Sequence, residues 1–599
     1  MSLMFGDLEG AEPSREEALA RIGLGFAQGL VLYGLSEWAK HLGDNRWVAA
    51  LFGALAVAAV LIPVAAQGAI NRLKRLTLTR WLIAAGATVA LLGAYDSWCA
   101  EKIGSDHFPS ALLFVNAAVG LFITHQLIAA AQADRRWFAD YHRYFDGAWK
   151  DGVRLVLAVL FVAALWILLG LGAALFHLIG IKLIGDIIGK PWFAFPATTT
   201  FFAIAIHITD VRAGLVRGIR TVALTLLSWL SPVMALIGAG FLAALPFTGL
   251  APLWATKSAA GILLSAAAAL IVLTNAAYQE GEENAYPPLA LKWTARLTAL
   301  LILPLVVIAA YGVALRIGQY GLTPERILAT ACVLVGLCYG VGYAVAACWP
   351  KTWMTPLERT NIATAHVVIA VLLALFSPIA DPSRLSVGDQ VHRLEAGKVA
   401  PDKFDYRFLR FEAHRYGTNA LARLAARKGS ARDLDIAARA KAAQKADNRY
   451  DAPPVPQVDR AKIMAVVGGG DLPATFIGQD WSKGVDPFAG CQTEGASCKA
   501  LIRDLNGDGI AEIALFRAGS AGDVYGFAAG AWTKAGTLSG PSCGVTEALA
   551  AGKVAVAPPE SPWQDLMVGT ARLRVTPDVA CMSAGGGGDV TDVALIKPH

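Results

Sequence analysis

Charge is what this sequence has least of. Only 16% of its 599 residues are Asp, Glu, Lys or Arg, where soluble proteins carry about 25%. The mean hydropathy is +0.49, and a single soluble globule is excluded on that ground. Other features are missing as well. The acidic N-terminus MSLMFGDLEGAEPSREEALAR has no short apolar stretch with a small-residue cleavage site. The expectation is therefore no cleavable signal peptide, with the first span acting as an uncleaved signal-anchor. No CxxC pair with matching histidines occurs, which argues against zinc. No paired carboxylates and no Ser/His/Asp set stand out, so an enzyme is not expected. No internal repeat of the secondary-transporter kind is visible, and no spanning segment holds a run of carboxylates. The segment AGGGGD (584–589) lacks the Lys-Ser/Thr and the helix of a phosphate loop.

What is present is a series of long apolar runs over residues 20–380. A helix needs about 20 mostly apolar residues to cross the hydrocarbon core. Candidate spans lie near 22–41, 47–68, 80–98, 109–131, 154–180, 196–211, 221–245, 258–277, 294–315, 326–348 and 362–380. The fold class expected is a polytopic α-helical membrane protein of about eleven transmembrane helices, followed by a small C-terminal soluble domain of α+β or β-rich type. The basic residues behind the net charge of +6 fall in short loops, so they point to membrane topology and not to nucleic acid. With the N-terminus inside, roughly 18 Lys and Arg face the cytoplasm and about 7 face out. Eleven spans then leave the C-terminal region outside.

Cysteine gives an independent argument for that compartment. Cys99, Cys332, Cys338 and Cys348 lie in or beside spans and read as inert buried thiols. Cys491, Cys498, Cys543 and Cys581 all fall in the polar C-terminal region. Four cysteines in a small domain imply two disulfides and an oxidising compartment. Cys491–Cys498 with Cys543–Cys581 is the natural pairing, one of three connectivities four cysteines allow.

Within the membrane half, ionisable and polar groups are the functional candidates. His207 and Asp210 stand i and i+3 on one helix face and make the best proton-relay pair. Asn116, His125, Gln126, His177, Asn275 and His366 are read as interhelical hydrogen-bonding groups. Pro63, Pro232 and Pro304 are expected to break or kink their helices. The loop at 132–154 places Trp137, Phe138, Tyr141, Tyr144, Phe145 and Trp149 on one face. It is expected to form an amphipathic helix lying in the cytoplasmic interface, as a topological anchor or a docking surface. Residues 181–195 are expected to be re-entrant or interfacial.

The organisation expected is a cytoplasmic N-terminus (1–20), a membrane domain (21–380), a periplasmic helical region (381–447), a proline-rich linker (448–460) and a β-rich periplasmic domain (461–599). The sharpest motif of the last domain is RDLNGDGIAEIAL (503–515). Asp504, Asn506 and Asp508 occupy alternate loop positions, followed by Gly509, the carbonyl of Ile510 and Glu512. Alternating oxygen donors let a tight loop wrap one hard cation, so calcium is the cofactor expected. The spacing departs from an EF-hand, which needs Glu where Leu515 stands. The loop looks like the FG-GAP type running into a strand, and an Asx-rich turn without metal is the alternative.

The segments DYHRYFDGAWKDGVRL (140–155), GLTPERI (321–327), DPSRLSVGDQV (381–391) and FDYRFLRFEAHRYG (404–417) resemble a bacterial inner-membrane family catalogued as domain of unknown function 4153. The resemblance covers about residues 15–425. It implies a bacterial inner-membrane location and no particular activity. The function expected is a non-enzymatic envelope scaffold or sensor, with the lipid bilayer and envelope proteins as partners. A transporter or channel with a periplasmic accessory domain is the alternative.

Overall fold

The computed structural model describes residues 15–449 apart from 44, 71, 101–107, 257, 282–287 and 350–352. Beyond 463 it describes 464–467, 469–481, 486–488, 491, 498–516, 522–538, 549, 551, 553–556, 566–568 and 571–573. The chain divides into two compact units, Met1–Arg449 and Tyr450–His599.

Among the described residues the first unit holds eleven helices long and apolar enough to cross a membrane. They are α1 (Arg15–Ala39), α2 (Arg46–Ala69), α3 (Arg75–Cys99), α4 (Ala111–Asp134) and α5 (Tyr141–Leu178), then α7 (Pro191–Val211), α8 (Ala213–Thr248), α10 (Ala259–Tyr278), α11 (Leu289–Tyr320), α12 (Pro324–Cys348) and α13 (Pro356–Leu375). Two short helices, α6 (Leu183–Ile188) and α9 (Ala251–Ala255), lie between spans. Side chains set several of the helix starts. Asn45 accepts from the Trp47 amide, Ser110 from Leu113, and Thr323 from Arg326 ahead of Pro324, the usual way to satisfy first-turn donors. The outward faces stay apolar, as with Ile83, Leu91 and Leu236, each more than two-thirds exposed. That much bare aliphatic surface suits a lipid solvent.

Small residues let the spans approach closely. Gly25 and Gly29 sit one turn apart on α1, where a Cβ would meet α7 at Thr199 and Pro196. Gly53 on α2 and Gly93 on α3 lie against each other's carbonyls in the same manner. This is the small-xxx-small packing that membrane helices use. The prolines do not end their helices. Pro63, Pro232 and Pro304 lie inside α2, α8 and α11. At Pro63 the reason is visible. Proline has no N–H for the carbonyl of residue 59, and the buried Gln28 of α1 donates to Ala59 O and Val60 O, both at 3.0 Å.

The expected interfacial helix at 132–154 is corrected. The helix α4 runs to Asp134, a turn follows, and from Tyr141 the segment is the start of the 38-residue α5. Trp137 and Phe138 are exposed in the turn, whereas Tyr141, Tyr144 and Phe145 are buried among the spans. An apolar stripe reads alike whether it faces lipid headgroups or other helices, and here other helices cover it. Residues 181–195 divide into α6 and the first turn of α7.

After the spans come α14 (Pro382–Glu395), α15 (Tyr406–Phe411), α16 (His414–Ala425) and α17 (Ala431–Lys445). They share a core of Val391, Leu394, Phe408, Leu421 and Ile436. They are tied to the spans by polar contacts: Tyr95 Oη donates to Asp381 at 2.9 Å, and Gln390 and Arg393 donate to the last carbonyls of α11. Cations and amides belong at a helix C-terminus, where carbonyls lack partners.

The second unit is built on a five-stranded sheet in the order β1 (Ala465–Val466), β2 (Lys499–Arg503), β3 (Glu512–Phe516), β4 (Gly522–Ala528), β5 (Ala531–Leu538). The pair β1–β2 is parallel and the rest antiparallel. A separate hairpin joins β6 (Leu566–Val568) to β7 (Ala571–Leu573). The short helix α18 (Ala474–Ile477) carries Phe476, fully buried with its ring 5.3–5.6 Å from Trp481, Phe488, Tyr525 and Trp532.

Candidate functional sites

The densest polar cluster of the first unit lies where odd-numbered spans begin and even-numbered ones end. Helix parity brings these ends to the face on which the first span starts. Asp210, at the end of α7, accepts from Arg21 of α1 at 2.7 Å and is also bridged by Arg154 of α5. Arg154 reaches on to Asp151 at 3.4 Å. Asp151 is paired with Arg72, from the α2–α3 turn, and accepts from Gln126 of α4 at 2.8 Å. Charges of alternating sign thus run Arg21, Asp210, Arg154, Asp151, Arg72 across three spans and a turn. Arg21 is only 2% exposed. Isolated charges are not tolerated at that depth, and mutual pairing is what makes the cluster affordable.

The pairing is incomplete around a cavity of about 150 Å3 lined by Arg21, Gln67, His125, Arg154 and Asp210. Both amide atoms of Gln67, both ring nitrogens of His125, Nε and Nη1 of Arg21 and Nε of Arg154 are buried there without hydrogen-bond partners among the described residues. Buried polar atoms are nearly always satisfied, and a cavity of this size with polar groups in a largely apolar wall has room for several water molecules beside them.

Of the sequence candidates, Asp210 is therefore at the centre of the cluster, but its carboxylate is held by two arginines. His207, one turn earlier, has no partner at Nδ1 among the described residues. The reading from spacing missed Arg21, Arg72, Asp151 and Arg154. Each stands at a span end, where a charge reads as a topology signal; only span parity hinted that they meet.

A second polar group is closed on itself. Asn361 Nδ2 donates to Asn275 Oδ1 at 2.7 Å and to Tyr141 Oη at 2.8 Å. Asn275 Nδ2 donates to Tyr343 Oη at 2.7 Å, and Tyr343 donates to Asn361 Oδ1 at 2.7 Å. Four helices, α5, α10, α12 and α13, are joined by this ring, which is the hydrogen-bonding role expected for Asn275. Asp389 of α14 accepts from the Leu322 amide at 2.7 Å and so is a structural group.

In the second unit the loop between β2 and β3 is a nest of Asx turns. Asp504 accepts from the amides of Gly507 at 2.7 Å and Gly509 at 2.9 Å. Asn506 accepts from Asp508 N, Asp508 from Ile510 N, and Glu512 from Leu505 N at 2.7 Å. Gly507 and Gly509 adopt φ of +80° and +84°, which only glycine takes without strain. These amides hold the Asp504 carboxyl below the usual carboxylate range. Among the described residues no three His, Cys, Asp or Glu side chains converge as a metal-binding group. Cys491 and Cys498 form a disulfide with Cα atoms 5.7 Å apart. Cys543 and Cys581 lie outside the described residues.

The model of a family described as a domain of unknown function, DUF4153, matches residues 41–424. The chain belongs to the DUF4153 family. The match takes in the Asn/Tyr ring and every member of the charge cluster except Arg21. The DUF4153 segment DYHRYFDGAWKDGVRL supplies Tyr141 to the ring and Asp151 and Arg154 to the cluster. The loop at 504–512 and the disulfide lie beyond it. No curated protein and no solved structure matches the chain.

Proposed function

We propose that this DUF4153 protein resides in the bacterial inner membrane and works without catalysis. In this reading it is an envelope scaffold or sensor whose second unit stands in the periplasm. The observation that carries the reading is the Cys491–Cys498 disulfide, because such bonds persist in oxidising compartments. The loop charges support it independently: with the N-terminus cytoplasmic, an odd number of crossings ends outside. The lack of catalysis is supported by the charge cluster, where Asp151 and Asp210 are each engaged by two arginines and neither is a ready acid or base.

The loop at 504–512 is part of the same proposal, as a weak structural calcium site. Its support is the alternation of Asp504, Asn506 and Asp508, each of which keeps unused oxygen lone pairs on an exposed loop. An ion would draw these oxygens together with Ile510 O and Glu512. A periplasm-only reporter fused after Pro453, with thiol labelling of Cys491 and Cys498 in intact cells, tests the placement. An active reporter and blocked thiols are expected. A silent reporter and free thiols overturn it.

A transporter or channel is the second reading, favoured by the unsatisfied polar atoms that line a cavity among the spans. Substrate-dependent flux in proteoliposomes, lost in Gln67→Leu, decides for it.

A further inference from the structure

A larger cavity, about 530 Å3, opens on the same face as the charge cluster, between α4, α5, α8 and the α2–α3 and α10–α11 connections. Its walls carry five cations, Arg72, Arg143, Lys150, Arg217 and Arg220, against two carboxylates, Asp146 and Glu280. Both carboxylates are held by one residue: Arg220 pairs with Asp146 and, at 3.0 Å, with Glu280. Arg143 is paired with Asp134 and Arg72 with Asp151. Arg217 makes no side-chain hydrogen bond or ion pair with the described residues and lines the opening from an exposed position on α8. A concave, basic, water-accessible site at a span end has the chemistry of a phosphate-binding site.

An apolar chamber adjoins it. Gln126 lines the basic cavity and also a neighbouring cavity of about 310 Å3 whose walls include Phe122, Leu127, Phe145, Trp149 and Val272. Gly147 lies between them; a Cβ there would sit 2.6 Å from Gln126 Oε1, so the side chain of Gln126 packs directly on the α5 backbone. Val272 is nearly half exposed on the outward apolar surface. A soluble phosphate has no use for such a chamber. A lipid does.

We propose that these two cavities seat an anionic phospholipid, with its phosphate among Arg72, Lys150, Arg217 and Arg220 and an acyl chain along Phe145 and Trp149. The site does not depend on the second unit, on calcium or on the functional reading above. Asp151 is a positioning residue here, since it holds both Arg72 and Gln126 in the wall.

The test uses the full chain in nanodiscs of phosphatidylcholine with or without phosphatidylglycerol, with retained lipid counted by native mass spectrometry. Phosphatidylglycerol is expected to be retained in preference to phosphatidylcholine. Arg217→Gln, at a side chain without a hydrogen-bond or ion-pair partner among the described residues, weakens retention by about fivefold, the effect of one basic residue at an anionic lipid surface. Glu280→Gln, which removes a competing carboxylate, strengthens it. Unchanged retention in both variants overturns the proposal. So does an Arg217-dependent rise in melting temperature with inorganic phosphate in pure phosphatidylcholine discs and none with phosphatidylglycerol, which assigns the cavity to a soluble anion.

Discussion

The two units of this protein bury opposite kinds of group. In the second unit the centre is aromatic, with Phe476 among four other rings, and Asp508 of the 504–512 loop is exposed. In the first, Leu, Ile and Val cover the outside, and a chain of three arginines and two aspartates runs through the interior at one end. The difference is one of solvent. Where water surrounds the fold, removing apolar surface from it supplies the drive. Where hydrocarbon surrounds it, aliphatic contacts are as good outside as in, and close packing and polar pairing hold the helices together. The first unit therefore has its specificity in polar groups, and the second in shape.

The sharpest way to break the comparison is to remove the hub of the charge cluster. Asp210→Ala deserts Arg21 and Arg154 at once and leaves both cations buried. The expected loss is about 3–5 kcal/mol, read as a large fall in the melting temperature of the detergent-solubilised protein or in its accumulation in the membrane. Replacing Asp210 with Glu, which keeps the charge, is expected to retain most of the stability. If the alanine variant behaves like the native protein, the interior is not organised by its charges.

The matching experiment in the second unit is Phe476→Ala. Deleting a fully buried ring costs about 3–4 kcal/mol through lost transfer and a new cavity. The near-ultraviolet circular dichroism of the full chain is expected to fall, since four aromatic rings lose a fixed neighbour. A lipid-facing counterpart, Leu236→Ala, is expected to cost far less. Equal losses at the two sites mean that both units are held together in the same way.

A smaller effect is expected from the Asn/Tyr ring. Asn361→Leu preserves bulk and removes three hydrogen bonds, leaving the Tyr343 hydroxyl without its acceptor and Tyr141 with only its longer bond of 3.2 Å to Asn275 Oδ1. About 2 kcal/mol is expected. Asn275→Leu with Asn361→Leu together should cost less than the sum of the two single changes, because one closed network is counted only once.

How far the sequence announced this structure follows from the same difference of solvent. Hydropathy reports the lipid-facing surface, so the eleven helices were legible to within a few residues at many ends, as for 47–68 against Arg46–Ala69. Hydropathy is silent on which span ends meet. The charges at 21, 72, 151 and 154 therefore read as loop residues, and the aromatic stripe at 137–149 read as interfacial when tertiary packing covers most of it. Spacing alone put His207 with Asp210, but long arginine side chains from other helices reach that carboxylate first. The strand at 512–516 was legible because its apolar run ends at a glycine-marked loop.

The helical layer α14–α17 is the intermediate case, a water-type core attached to membrane spans, and Tyr406 probes it. Its side chain is buried beside Phe404, their rings 4.8 Å apart, and its hydroxyl has no hydrogen-bond partner among the described residues. Burial pushes the phenol from 10.0 up to about 12. Below pH 10 the phenol is protonated in the folded and unfolded chain alike, and contributes no pH dependence. Between pH 10 and 12 the unfolded chain releases this proton and the folded chain keeps it. The unfolded state then binds fewer protons, and stability falls as the pH rises through that window. Tyr406→Phe removes the ionisation together with an unsatisfied hydroxyl. It is expected to leave neutral-pH stability equal or slightly higher, by up to about 1 kcal/mol, and to flatten the alkaline decline in melting temperature. A decline of unchanged slope in the phenylalanine variant places the sensitive group elsewhere, and a clear loss at neutral pH means the hydroxyl has a partner and this layer is not built like the core of a water-soluble domain.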